Sequence, residues 1–111
     1  MNSKYNYIKL TEKYFDLFNN YDLNNLEKIY DPNIQLSDWL GFWEGKKNVL
    51  QMNKELFQLS PKIRIIEINK AENYSKTFSK IEIEIGNENL KVMDVIFWND
   101  GKIIKINAYE G

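Results

Sequence analysis

The period of the apolar residues along this chain alternates between about 3.6 and 2, which separates helices from strands. From Lys4 to Asn20 the spacing is helical, with Tyr7, Leu10, Tyr14, Leu17 and Phe18 on one stripe. Asp22 is a good N-cap for a second helix, Leu23 to Tyr30, which Asp31-Pro32 ends. Ile34 to Asp38 then reads as a strand, and its alternation sets Asp38 on the apolar face with Ile34 and Leu36. Trp39 to Gly45 is a short aromatic loop. Lys46 to Leu59 predicts a third helix with Val49, Met52 and Leu56 inward.

Four more strands complete the pattern. Lys62 to Asn69 is rich in isoleucine, and Phe78 to Ile85 alternates Ile81, Ile83 and Ile85 against Lys80, Glu82 and Glu84. Gly86 to Asn89 turns into the run Val92 to Trp98, and Asn99-Asp100-Gly101 signals a hairpin into Lys102 to Tyr109. Helices followed by antiparallel strands predict an α+β fold: three helices packed on a strongly curved, mostly antiparallel sheet that encloses an apolar pocket. A length of 111 residues suits one domain, residues 1–111.

Asp94 breaks this pattern. It is the only charge in Val92-Met93-Asp94-Val95-Ile96-Phe97-Trp98, a run that reads as a strand buried on both faces. A carboxyl there is hydrogen-bonded, held neutral, or used chemically. Asp38 repeats the arrangement. Each has a plainer alternative: Asp94 accepts bonds from Tyr14 or Tyr30 within the core, and Asp38 turns the chain or caps a backbone amide.

Composition narrows the chemistry. The chain has no histidine and no cysteine, which removes the usual general base, thiolate chemistry and cysteine-ligated zinc. Acid–base work falls to Asp, Glu, Tyr or Lys. The 15 basic and 16 acidic residues are interspersed, so no one-signed surface for nucleic acid or membrane is expected. Arg64 is the single arginine. The first residues lack an apolar signal core, and a cytoplasmic protein without a dedicated metal site is expected. The Lys80, Glu82 and Glu84 face reads as a solvated or dimer-facing sheet surface.

Lys13-Tyr14, Asn19 to Leu23, Asp38 and Gly41 resemble the first half of bacterial ketosteroid isomerases. Asp94 to Ile104, with Ala108-Tyr109 and Gly111, resembles their last hairpin. Over its whole length the chain resembles the nuclear transport factor 2-like superfamily, in its SnoaL-like, ketosteroid-isomerase-like branch. Trp39 stands where the isomerases carry proline. The resemblance implies a cystatin-like cone and a cofactor-free isomerase acting on an apolar carbonyl compound. It makes Asp38 the base and Tyr14 with a protonated Asp94 the oxyanion hole, an arrangement for which ketosteroid isomerase is the standard example. Related cyclase or hydratase chemistry fits the same residues. So does a non-catalytic domain that binds an apolar ligand or dimerises through its sheet.

The pocket expected around that trio has an aromatic wall of Trp39, Phe42 and Trp43, with Tyr30 at its floor. Phe18, Met52 and Leu56 would line it from the helices. Leu36, Ile96, Trp98 and Ile106 would line it from the sheet, Trp98 either on the wall or closing the bottom.

Overall fold

The structure is a computed structural model that describes residues 5–71 and 75–111. Helix α1 spans Tyr7–Asn19, and the Asn6 side chain caps it by accepting from the Lys9 amide at 3.1 Å. The expected start at Lys4 lies outside the described residues. Its buried residues include Tyr7, Thr11, Tyr14, Leu17 and Phe18, so the apolar stripe faces the sheet. Asp22 caps α2, Leu23–Ile29. The helix ends one residue earlier than the sequence suggests, because Tyr30 already belongs to a strand.

That strand, β1, runs Tyr30–Ser37 and absorbs Asp31-Pro32 instead of following them. Proline is tolerated there because the ladder to the neighbouring strand shifts register between Tyr30 and Gln35. Asp38 falls just beyond its end. The aromatic loop contains a short strand missed in the sequence, β2, Phe42–Glu44, antiparallel to β1. Gly45, at φ 89°, then turns the chain into α3, Lys46–Phe57.

The remaining strands are β3 (Lys62–Lys70), β4 (Lys76–Ile85), β5 (Glu88–Asn99) and β6 (Lys102–Glu110). The β5–β6 turn has both central residues at positive φ, Asp100 at 50° and Gly101 at 79°, as a two-residue type I′ hairpin requires. Spatial order is β2-β1-β6-β5-β4-β3, with every neighbour antiparallel except the parallel β1–β6 pair. Register shifts at Ile65/Glu67 and Phe97/Trp98 bend the sheet, since an extra residue on one strand increases local twist. The three helices pack on its concave side, and the sheet curves without closing.

One expectation needs correction. The Val92 to Trp98 run is not buried on both faces: Val92, Asp94, Ile96 and Trp98 point inward, while Met93 is 39% exposed and Val95 and Phe97 are half-buried. Strand β5 therefore alternates like any one-sided antiparallel strand, and its second apolar face is left open in this chain.

Candidate active site

Each of the three candidate residues is positioned by a different local cause. Tyr14 lies at the centre of the α1 stripe, 3% exposed. Asp94 lies midway along β5, paired with Ser79 on β4 and Ala108 on β6. Asp38 sits at the β1–β2 turn, where its Oδ1 accepts the Leu40 amide at 2.7 Å and the Gly41 amide at 3.0 Å. The β1–β6 register runs to Ser37 opposite Asn107, so Asp38 follows beside Ala108. The small side chain of Ala108 thus separates the two carboxyls, which stand two strand spacings apart, about 10 Å between Cα atoms.

All three side chains line one cavity of about 620 Å³, a size suited to a drug-sized molecule. Phe18, Leu36, Trp39, Met52, Leu56 and Ile106 line it as expected from the sequence. Five other candidates do not. Phe42 projects outward from β2, 58% exposed, and Trp43 packs on the core with its ring against Gly41. Ile96 is fully buried beneath the floor. Trp98 closes the bottom: it stacks on Tyr7 at 5.4 Å and donates its indole N–H to Thr77 at 3.4 Å. Tyr30, also fully buried, stands behind Tyr14 and donates to Asn53 Oδ1 at 2.7 Å.

Asn53 is a lining residue that the sequence reading passed over. The buried stripe of α3 is Val49, Asn53 and Phe57, at intervals of four, and a polar residue at its centre masked it. The floor was equally readable from β5 itself. Glu88, Leu90 and Val92 share the parity of Asp94, and all four line the cavity.

Electrostatics at the site follow from burial. Asp94 is 7% exposed, and among the described residues its carboxyl has no hydrogen-bond partner. Desolvation, reinforced by the negative charge of Asp38, raises its pKa from 3.8 to about 7. The plainer alternative for Asp94, a core acid bonded by Tyr14 or Tyr30, is therefore not what the structure contains. The plainer alternative for Asp38, a turn-capping carboxylate, is present, and the same side chain also reaches the cavity. Burial likewise raises Tyr14 well above 10, with Tyr30 and Asp94 adding to it. Tyr30, buried behind it, is raised for the same reason. Beside Asp94, the Ser79 hydroxyl is buried with no hydrogen-bond partner among the described residues.

Among the described residues no group of three or more His, Cys, Asp or Glu is placed to hold a metal ion. No described helix is long and apolar enough to cross a membrane.

Residues 11–106 match the family described as the SnoaL-like domain. No curated protein sequence matches significantly. Solved structures are similar throughout. An NTF2-like protein of unknown function from Cytophaga hutchinsonii superposes with TM-score 0.85 at 12% identity, over 100% of this chain and 95% of that one. A provisionally assigned ketosteroid isomerase from Kribbella flavida gives 0.84 at 14% identity, over 93% and 76%. SalBIII, an epoxide hydrolase/cyclase-like enzyme of pyran ring formation in salinomycin, gives 0.87 at 14% identity, over 95% and 90%. Identities this low establish a shared fold.

Proposed function

The chain belongs to the SnoaL-like domain family, and from that premise we propose that its cavity is the site of a cofactor-free isomerase acting on an apolar carbonyl compound. One observation carries this most strongly: a buried carboxyl, Asp94, faces an apolar cavity with no hydrogen-bond partner among the described residues. Such a group is favoured in its neutral form, and a neutral acid can donate to a developing oxyanion. Tyr14 stands beside it as the second donor. Asp38 is the base, working through Oδ2, since Oδ1 is engaged by two backbone amides. The C–H bond alpha to the carbonyl breaks, its proton goes to Asp38, and the electron pair moves onto the carbonyl oxygen. Asp38 then returns the proton to another carbon of the enolate.

Carboxyl-selective NMR titration tests the arrangement. One aspartate should titrate at about 7, and Asp38→Asn should lower that value by removing the like charge. Two ordinary acidic values would overturn the oxyanion hole.

The doubly bonded Oδ1 of Asp38 favours a second reading, in which that side chain shapes the turn and the cavity binds without turnover. A ketone that binds but does not exchange its alpha protons would select it.

We also take the outer face of the sheet to pair with a second copy of the chain in the cytoplasm. Met93, Val95 and Phe97 form an apolar stripe there, beside Tyr109, which is 57% exposed. The parent chain should sediment as a dimer and Val95→Lys as a folded monomer. A parent chain monomeric at every concentration would refute the pairing.

A further inference from the structure

We propose that the cavity selects its ligand by charge, admitting elongated neutral or amine-bearing molecules and rejecting carboxylic acids. The proposal rests on the cavity being a ligand site and names the class of compound that it takes.

Every described lining residue that carries charge at neutral pH in its ordinary state is acidic: Asp38, Glu88, Asp94 and Glu110. Among the described residues no lysine or arginine lines the cavity, although the chain holds 15 basic residues against 16 acidic. A nearly balanced composition has thus been sorted into a site of one sign. The placement is ordered as well. Glu88, Leu90, Val92 and Asp94 occupy alternate positions of β5, so six residues of strand, about 20 Å, separate the two end carboxyls. Between them the trough is apolar, with Ile83 and Ile85 of β4 on one side. Glu110, opposite Val92 on β6, joins Glu88 in lining it.

A second observation makes this more than a run of acidic residues. The Asp94 carboxyl, 7% exposed, lines the cavity and has no hydrogen-bond partner among the described residues. A ligand with a carbonyl or hydroxyl end supplies the missing hydrogen bond there. A carboxylate brings a second anion into a low-dielectric volume that holds Asp38 and, among the described residues, offers no cation, so it must be protonated or excluded. An amine directed to the other end meets Glu88 and Glu110. Both are exposed, so the gain is modest and screened by salt.

Three ligands of equal chain length test the proposal by titration calorimetry: 1-decanol, decylamine and decanoate. At about pH 8, where the acid is ionised, decanol should bind at least about tenfold more tightly than decanoate. Decylamine should bind at least as tightly as decanol. High salt, or Glu88→Gln combined with Glu110→Gln, should remove any advantage of the amine. Ala108→Phe, which fills the space between Asp38 and Asp94, should abolish binding of all three while leaving the circular dichroism spectrum unchanged. Decanoate binding as well as decanol would overturn the charge selection and leave the ligand site standing. So would an amine rejected like the acid. Binding of none of the three, or binding unaffected by Ala108→Phe, would overturn both.

Discussion

Asp94→Asn is expected to stabilise the folded chain by about 2–4 kcal/mol at about pH 8 and to leave it unchanged near pH 4. The sign follows from the direction of the pKa shift. Asp94 in the folded chain is raised from 3.8 to about 7, so between those values the folded state holds a proton that the unfolded state has released. The stability contributed by this group is therefore complete below about pH 4 and is lost as pH rises through about 7. A shift of this size corresponds to about 4 kcal/mol, and water entering the cavity beside the ionised carboxylate reduces it. Asparagine keeps the shape and carries no charge to bury, so the variant escapes the loss. Urea unfolding of both chains at the two pH values measures the difference. An equal gap at both would mean that Asp94 carries no raised pKa. The substitution should also weaken any proton-transfer activity, since removing one oxyanion donor costs about 10²–10³ in rate.

Asp38→Asn should have the larger effect on turnover. A positioned general base contributes about 10²–10⁴ in rate, and asparagine cannot accept the proton. Its amide oxygen can still accept the Leu40 and Gly41 amides, so the turn should persist and the loss should be chemical. Exchange of the alpha protons of an apolar ketone such as 2-tetralone into deuterated water measures this without knowledge of the natural substrate. Exchange that proceeds equally in parent and variant would remove Asp38 from the base role. Affinity for the ketone should change far less than the exchange rate. That separates loss of the base from loss of the pocket.

Much of this arrangement was legible because each signal was local. Helical spacing from Tyr7 to Phe18 needs only the 3.6-residue period, and Asp100-Gly101 needs only two left-handed positions. What escaped the sequence depended on partners distant in the chain. Strand β2 has three residues and exists because β1 offers an edge, which no pattern within Phe42–Glu44 reveals. Trp98 shares the parity of Asp94, yet Tyr7 from α1 covers it, so it ends as a plug. Trp43 and Phe42 are as aromatic as Trp39, but only the turn geometry decides which ring meets the cavity. Val92 to Trp98 misled for a different reason. An apolar face on an open sheet and one inside a core have the same composition, and nothing in seven residues tells them apart.

The one parallel ladder in the sheet has a kinetic consequence. Leu36 pairs with Ile106, 70 residues away, and β6 is the strand that lies between the strand leading to Asp38 and the strand bearing Asp94. The β3–β4–β5 meander can form from neighbours in sequence, and so can the β1–β2 hairpin. Joining them requires closing one long loop, whose entropy is overcome only when β6 docks on β1. The two carboxyls therefore stay apart until that late step. A chain arrested before it would carry its helices and most of its strands and have no cavity at all.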